Sequence, residues 1–463
     1  MSDADVCGSR GAGGHAAYCG VGRMFDAPPR RCRLPIRSLH PRQIGLSTMQ
    51  PLSMKHLRED GTIAAGHSLA RGLLSDRGPE PLREPVSRTR NRRPKPLNVL
   101  LICHFGRTGY NILRSLRAIN ARVYLVHDQR AASLSYSRRC TVVHATQDLG
   151  SADPDRVLGI INDLHLRVGL DSVIASDVES LAFLSKIKER LQAPVFPMAD
   201  AGTLATLNDK WAFYKLCETA GVAVPKSLSI GRQAEFDVGA VERELGYPVI
   251  VKPVNSYGQR GISVLRNRTQ AEEWKRGRVD HDQPVIIQEY IEGTDWAISV
   301  FAQDGVIKHW VSWVCPSQLD LGYGVGRFLA TEFRPRDDLF AMTQRIVAAT
   351  GFSGVANFDS RHDDQAGKMK MLECNPRFFN RMSAARLSGL DFVRPGLPVA
   401  GNQPVTLGNV GYYPWQELFS VRGLQRLVRG QWRMMPLLHD ILDMGTDPMP
   451  PIVRKWARED GRD

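Results

Sequence analysis

Three side chains that could bind a metal ion occur close together in the sequence. Glu373 and Asn375 are two residues apart at the end of an apolar run, and residues two apart on a strand share one face. Asp359 ends an earlier apolar run, and the polar stretch 362–368 between the runs predicts a hairpin connection. Two carboxylates and an amide suit Mg²⁺, which takes its other ligands from water and phosphate groups. The alternative is the polar end of a strand that enters a turn.

A phosphate-binding partner for such a metal is indicated upstream. The run 247–253 predicts a strand that carries Lys252, and the glycine-containing loop 255–261 separates it from a second apolar run at 262–265. A loop with free backbone N–H groups between two strands can close over phosphates. Lys252 would supply positive charge there, although a lysine at a strand end is also typical of a solvated edge.

A nucleobase could lie beside the next strand. The apolar pattern 285–291 stops at Gly293, and the backbone groups of such a strand end can face a flat heterocycle. Glu292 or Asp295 would reach sugar hydroxyls in that arrangement. An ordinary strand and turn is the alternative.

The elements that must position these groups begin with alternating strands and helices over 97–200. This alternation predicts a doubly wound domain with a parallel sheet. The Gly106–Gly109 loop after the first strand lacks the G-x-G-x-x-G spacing, so it gives only a weak indication of anion binding. A further helix is predicted from Asn208 to Gly221, where glycine is a common stop. The strands are predicted at 97–103, 123–126, 141–143, 172–175 and 195–196, and the later helices around 156–166, 179–191 and 270–275.

Composition excludes some classes of function. The 463 residues are enough for two to four domains, and the net charge of +13 is concentrated in residues 1–96, which hold 17 Lys and Arg against 8 Asp and Glu. The rest of the chain is nearly balanced, so no nucleic-acid surface is indicated. Residues 1–95 lack apolar periodicity and predict a disordered basic tail.

Cysteine usage and hydropathy bear on the compartment. Eight cysteines occur without CxxC pairs, which indicates neither a zinc site nor a disulfide framework. No apolar stretch is long enough to span a bilayer, so we expect a cytoplasmic protein. The segment 418–435 places arginines at helical spacing, which fits either a solvated surface helix or peripheral contact with an anionic membrane.

Taken in order, Lys210, the Lys252 strand with its flap, the 288–295 stretch, Asp359 and the Glu373–Arg377 segment resemble the ATP-grasp superfamily. The resemblance covers about 97–400 and is greatest for members of the carboxylate–amine ligase and carbamoyl-phosphate-synthase types. It implies a mixed α/β and α+β fold, in which a doubly wound domain precedes an ATP-grasp fold. The expected units are a tail at 1–95, an α/β domain at 96–205, an ATP-grasp domain at 206–400 and a helical extension at 401–463. Within the ATP-grasp domain, the resemblance implies a lid at about 225–290 and a metal-bearing lobe at 291–400.

The same resemblance implies roles for individual residues. Lys210 and Lys252 would contact ATP phosphates, and Arg377 and Lys252 would act on the transferring phosphoryl group. Glu373 would bridge two Mg²⁺ ions, with Asp359 on one and Asn375 on the other, and Mn²⁺ would suit the same ligands. Asp295 would bind ribose, although it stands where many relatives have Glu. The remaining nucleotide-binding positions are Ser256, Tyr257, Gly258 and Gly261 in the flap, and Gln288, Glu289, Tyr290 and Ile291 beside adenine.

The function implied is that of an ATP- and Mg²⁺-dependent ligase. Such an enzyme activates a small-molecule carboxylate as an acylphosphate, which an amine then captures, and its catalysis consists of positioning and charge neutralisation. One alternative is a bicarbonate-using reaction of the carboxylase or carbamoyl-phosphate type. The other is a non-catalytic nucleotide-binding module, with or without membrane contact. No nucleic-acid partner is expected, and whether the chain forms a homo-oligomer stays open.

Overall fold

The computed structural model describes most of the chain after residue 94. The predicted tail and the flap residues Ser256, Tyr257 and Gly258 lie outside the described residues, as does most of the 418–435 segment. None of the helices described is long and apolar enough to cross a membrane. The described residues are 95–254, 261–277, 283–314, 331–399, 405–412, 428 and 434–457.

A parallel four-stranded sheet forms the first domain, as predicted. Its strand order is β3-β2-β1-β4, and Val195 adds a parallel bridge to β4. The strands β1 and β4 are buried throughout because helices cover both faces of such a sheet. The strands are β1 (Asn98–Cys103), β2 (Arg122–His127), β3 (Cys140–Ala145) and β4 (Ser172–Ala175), and the helices are α1 (Gly106–Ala118), α2 (Pro154–Val168) and α3 (Val178–Ile187).

Capping residues set the helix ends. Asp153, Asp177 and Asp209 each accept backbone N–H bonds at a helix start, which satisfies donors that have no partner within the helix. Gly169 and Gly351 end helices in the left-handed region, with φ of 66° and 59°.

Caps also explain two differences from the predicted helices. The helix expected from Asn208 begins at Lys210, because Asp209 caps it and Asn208 ends a separate helix. The helix expected to continue to Leu191 ends at Ile187 and passes into a 3₁₀ turn. The two helices that meet at Asp209 are α4 (Ala201–Asn208) and α5 (Lys210–Thr219).

An antiparallel four-stranded sheet in the order β5-β8-β6-β7 occupies the region predicted as a lid. Two helices pack on one face, around a core that contains Phe236, Val251 and Trp274. The opposite face presents Lys252, because Lys252 alternates with Val251 along its strand. The elements are β5 (Ser227–Ile230), α6 (Val238–Glu244), β6 (Val249–Pro253), β7 (Ser263–Leu265), α7 (Arg268–Arg276) and β8 (Val285–Glu289).

A seven-stranded sheet contains the predicted hairpin. Strands β12 and β13 pair antiparallel at its edge, and β9 pairs with β12 on the other side. The predicted connection at 362–368 is shorter than expected, because β12 continues to Asp363 and β13 begins at Lys368. The elements are β9 (Gly293–Gln303), β10 (Val306–Val314), β11 (Thr331–Phe333), α8 (Asp337–Thr350), β12 (Gly354–Asp363), β13 (Lys368–Asn375), α9 (Met382–Leu387), β14 (Val405–Thr406) and β15 (Val410–Tyr412).

The two faces of this sheet pack against different parts of the chain. Val355, Phe301 and Val311 share a core with Leu101 and Leu113 of the first domain. The opposite face packs against α4, α5 and α8 and includes Cys374. The face directed at the first domain is the one that carries the polar residues described below.

The segment after residue 400 contains strands as well as the expected helices. Strands β14 and β15 pair with β10 and β11, so the seven-stranded sheet extends past residue 400. Two later helices, α10 (Met434–Gly445) and α11 (Met449–Ala457), lie against the first domain. Of the predicted helical segment 418–435, only Val428 and residues 434–435 are described.

A cluster of charges holds α10 in place. Asp443 accepts from Arg114 on α1, and it also pairs with Arg139 at 3.1 Å and with Arg386 on α9 at 2.7 Å. Asp447 is nearly fully buried and accepts from the Ser137 hydroxyl at 2.6 Å. Burial opposes ionisation of Asp443, but Arg114 and the other guanidinium groups outweigh it and lower the pKa of Asp443.

We expect Asp443→Asn to lower the free energy of unfolding by about 3 kcal/mol, because it leaves partly buried guanidinium groups without their counter-charge. Urea denaturation followed by tryptophan fluorescence measures the change. The matched control is Asp155→Asn, which breaks an exposed pair with Arg190 and should cost about 0.5 kcal/mol or less. Equal effects of the two substitutions would contradict a stabilising role for the cluster.

Candidate active site

Three cross-strand rows on one face of the seven-stranded sheet carry the polar side chains of the site. Residues directly opposite each other on neighbouring strands point to the same side, so each row places its side chains next to one another. The first row is Lys370, Arg361 and Asp295; the second is Glu373, Asp359, Ala297 and Trp313; the third is Asn375, Asn357, Ser299 and Val311.

The three predicted metal ligands lie together. Asp359 and Glu373 are paired across β12 and β13, and Asn375 pairs with Asn357 one row away. The Asn375 amide donates to Asp359 Oδ2 at 3.2 Å. The two carboxylates are hard donors that fit a divalent cation such as Mg²⁺, whereas the Asn375 amide would have to turn its oxygen, which accepts from Arg377, toward them to act as a third ligand.

The two carboxylates shift each other's pKa. Burial and the neighbouring Glu373 raise the pKa of Asp359 to about 8. Burial also disfavours the charged form of Glu373, but Lys210 and Lys252 outweigh it and lower the pKa of Glu373. The metal-free pair therefore retains one proton near neutral pH, and a bound cation would have to displace it.

Two buried lysines face the carboxylate pair from different elements. Lys210, at the start of α5, places its ammonium 3.4 Å from Glu373 Oε2 and 3.4 Å from the carbonyl oxygen of Val254. Lys252 comes from the lid and is 4% exposed. Burial lowers the pKa of Lys252 to about 8, with Glu373 opposing the shift and Lys210 adding to it. The site thus keeps positive charge that is only weakly solvated.

A short hinge segment joins the lid to the large sheet. Its contacts come from Arg361 and Lys370, neither of which was predicted from the sequence. Arg361 donates from Nε to the carbonyl oxygen of Ile291 at 2.7 Å, and its guanidinium pairs with Asp295 and lies 5.8 Å from the centre of the Tyr290 ring. Burial raises the pKa of Asp295 despite this partner. Lys370 pairs with Glu289 at 2.6 Å.

The remaining predicted residues differ in how they join the site. Arg377 donates to Asn375 Oδ1 at 3.1 Å, which places it beside the metal ligands. Gln288 is 2% exposed and donates to the Ser227 hydroxyl at 2.9 Å, so it links the neighbouring lid strands β8 and β5. Gly261, the last residue of the predicted flap, has a φ of 74°.

A second group of potential ligands lies at the carboxyl edge of the first sheet. His104, Asp128 and Asp148 come within ligand distance of one another. Asp128, however, already accepts from His104 and from the backbone N–H groups of Arg130 and Leu149. These bonds account for its burial without a metal ion.

Paired carboxylates on a sheet face, two buried lysines and a smaller neighbouring sheet that carries one of them are features expected of a protein that binds Mg²⁺ and nucleotide phosphates. The comparison with protein families narrows this class of protein, because residues 207–380 match the ATP-grasp domain. Residues 207–380 are thus an ATP-grasp domain, which makes up a little over a third of the chain.

Curated relatives match parts of the chain. A D-alanine–D-alanine ligase of Nitrosospira multiformis is 30% identical over 139 residues, which cover 30% of this chain and 40% of that protein. A D-aspartate ligase of Enterococcus faecium is 24% identical over 222 residues, 43% of this chain and 51% of that protein. The carbamoyl phosphate synthase large chain of Thermus thermophilus is 24% identical over 341 residues, 66% of this chain and 30% of that protein. The matches thus span about half or less of these three relatives.

Solved structures share the fold over a larger part of the chain. An ADP complex of N5-carboxyaminoimidazole ribonucleotide synthetase is similar with a TM-score of 0.51 and 15% identity, over 72% of this chain and 85% of that chain. A biotin carboxylase from Campylobacter jejuni has a TM-score of 0.50 and 17% identity, over 66% of this chain and 72% of that chain. At this identity the likeness shows the fold.

The lowered pKa of Lys252 predicts how nucleotide binding depends on pH. Bound phosphates favour the ammonium, so ADP binding without metal should weaken above pH 8, by up to about tenfold per pH unit, as the free lysine loses its proton. Calorimetric titration between pH 7 and 9.5 measures this slope. Lys252→Arg should reduce the slope to the part that ionisation of Asp359 contributes, whereas Lys215→Arg, at an exposed position of α5, should leave the slope unchanged. A flat profile for the unsubstituted protein would contradict the assignment of Lys252 to the phosphates.

Proposed function

We propose that this protein is an ATP- and Mg²⁺-dependent ligase that activates a small-molecule carboxylate as an acylphosphate and joins it to an amine. One observation carries the proposal: Asp359 and Glu373 are paired on a single sheet face, with the buried ammonium of Lys210 3.4 Å from Glu373. This arrangement suits a reaction in which charge on phosphate oxygens must be neutralised and no protein nucleophile is needed.

In the proposed reaction, a carboxylate oxygen of the substrate attacks the γ-phosphorus of ATP, and ADP leaves. An amine nitrogen then attacks the acyl carbon, phosphate leaves, and the nitrogen loses a proton to solvent. Mg²⁺ held by Asp359, Glu373 and Asn375 would neutralise the oxygens of the β- and γ-phosphates. The count of two ions is part of the proposal.

The cations of the chain have separate roles in this scheme. Lys210 and Lys252 hold the phosphates from two sides, one from α5 and one from the lid. Arg377, which already binds Asn375, holds the oxygens of the phosphoryl group during transfer. Lys252 contributes most when it is protonated, which its local environment favours below pH 8.

The hinge contacts refine how a base would bind. Arg361 occupies the carbonyl oxygen of Ile291, so the N–H of Ile291 is the group of that residue that we assign to adenine. Asp295 uses Oδ1 for Arg361, which leaves Oδ2 for a ribose hydroxyl. Glu289 is held by Lys370, so we assign its backbone rather than its carboxylate to the base. The flap residues Ser256, Tyr257 and Gly258 retain their proposed place over the phosphates.

The class of substrate follows in part from the relatives. Two of them are described as D-alanine–D-alanine and D-aspartate ligases, and both names denote amino acids as substrates. Amino acids are therefore the first carboxylates to test.

The cysteines among the described residues are free thiols, which fits the reducing compartment that we propose for an ATP-consuming enzyme. They are Cys103, Cys140, Cys217 and Cys374.

Hydroxylamine trapping of the acylphosphate tests the reaction. The full-length protein is incubated with Mg²⁺-ATP, hydroxylamine and a panel of amino acids, other carboxylates and bicarbonate, and hydroxamate and ADP are measured. We expect trapping with one class of carboxylate, and a loss of at least about 100-fold in Glu373→Ala and Lys252→Ala, because each removes charge at the transferring phosphoryl group.

The matched controls are Glu189→Ala and Lys215→Ala, which remove exposed charges outside the site and should trap normally. ADP release that requires bicarbonate alone would favour a carboxylase-type reaction. ATP binding without ADP release for any acceptor would favour the non-catalytic module.

A further inference from the structure

A buried hydrogen-bonded chain ends on the metal-binding carboxylate. The indole N–H of Trp313 donates to the Ser299 hydroxyl at 3.2 Å, and Ser299 donates to Asn357 Oδ1 at 2.8 Å. The Asn357 amide then donates to Asp359 Oδ1 at 2.8 Å. The four residues come from the adjacent strands β10, β9 and β12, and all point to the same face of the sheet.

The direction of this chain is fixed by chemistry. An indole N–H can only donate, so the Ser299 oxygen must accept, and the single hydrogen of Ser299 is left for Asn357. The amide oxygen of Asn357 is thereby occupied, which turns its NH₂ group toward Asp359. An ionised Asp359 can only accept, which fixes the last link as well. The chain therefore presents a donor to Asp359 Oδ1 in the ionised form that a metal ion requires.

Burial makes the chain rigid. Ser299 is 0% exposed and Asn357 is 6% exposed, so water does not readily replace their mutual hydrogen bond. At the far end, the Arg381 guanidinium lies 4.8 Å from the centre of the Trp313 ring and donates to the Thr331 hydroxyl at 2.7 Å. Trp313 is thus held by residues outside its own strand.

We propose that Asn357, Ser299 and Trp313 are positioning residues that orient Asp359 for metal binding, so that the Mg²⁺ dependence of nucleotide binding is set by side chains up to two strands away from Asp359. The inference rests on the proposed function, because it takes Asp359 as a metal ligand. A carboxylate that ligates a metal must hold one rotamer, and loss of an outer hydrogen bond to a ligand typically weakens metal affinity by about 10- to 100-fold.

The test measures ADP affinity by calorimetry, first without metal and then as a function of Mg²⁺ concentration, in the full-length protein. Asn357→Leu keeps the side-chain shape and removes the donor, and it should raise the Mg²⁺ concentration for half-maximal tightening about 10-fold. Trp313→Phe keeps a ring and removes only the first donor, and about a 3-fold increase is expected. Metal-free ADP affinity should not change in either variant.

A control variant and a double variant make the result specific. Trp310→Phe is the matched control, because Trp310 lies on the same strand but packs against Phe340 in the core of the opposite face. It should leave the Mg²⁺ dependence unchanged. In the double variant of Asn357→Leu and Trp313→Phe, the second substitution should add nothing, since the chain is already broken.

The outcomes separate the two proposals. If Mg²⁺ tightens ADP binding in the unsubstituted protein and does so equally in Asn357→Leu, the positioning inference is overturned while the metal site stands. Equal weakening with and without metal would also overturn it, because that pattern indicates general damage to the fold. If Mg²⁺ has no effect on ADP binding in the unsubstituted protein, the metal site of the proposed function fails, and the positioning inference fails with it.

Discussion

The structure depends on keeping two carboxylates side by side on a partly buried sheet face. The antiparallel register of β12 and β13 forces Asp359 and Glu373 together, and like charges at that distance oppose full ionisation. Lys210 and Lys252 offset this repulsion only because α5 and the lid deliver ammonium groups to the same place. The ionised form of the carboxylate pair is thus stabilised by elements that lie far apart in the chain. Repulsion between the two carboxylates also favours binding of a cation.

Side-chain contacts also hold the connection between the lid and the large sheet. Lys370 on β13 and Glu289 on β8 form one link between the two sheets, and Arg361 binds the backbone of Ile291 in another. Each sheet has its own apolar core, and Val254 and Ile286 of the lid region also pack against Tyr214 of α5. The lid region is therefore attached by polar links at the hinge and by a small apolar cluster on α5.

Sequence patterns gave the order of elements and most of the groups at the site, because strand periodicity and oxygen ligands two residues apart are local features. The strands of the first domain, the hairpin and the position of Lys252 follow from such signals, whereas Lys210 was named only through the family resemblance. Arg361 was missed although it stands two residues after Asp359 and so must share its face. Lys370 and Asn357 could not be assigned because their partners, Glu289 and Ser299, are more than 50 residues away and only the sheet register brings them together. The start of α5 was predicted near Asn208–Trp211, but the preceding short helix α4 was not predicted.

The charge cluster around Asp443 has a consequence for any shortened form of the protein. Arg114 and Arg139 belong to the first domain and Arg386 to α9, which follows the strands of the predicted metal ligands. All three meet at one carboxylate from the end of the chain. A chain cut at residue 400 would leave three guanidinium groups facing one another across that boundary. They would repel one another and attract phosphate from the buffer. Nucleotide titrations on such a fragment would then report a second, artificial anion site created by the truncation.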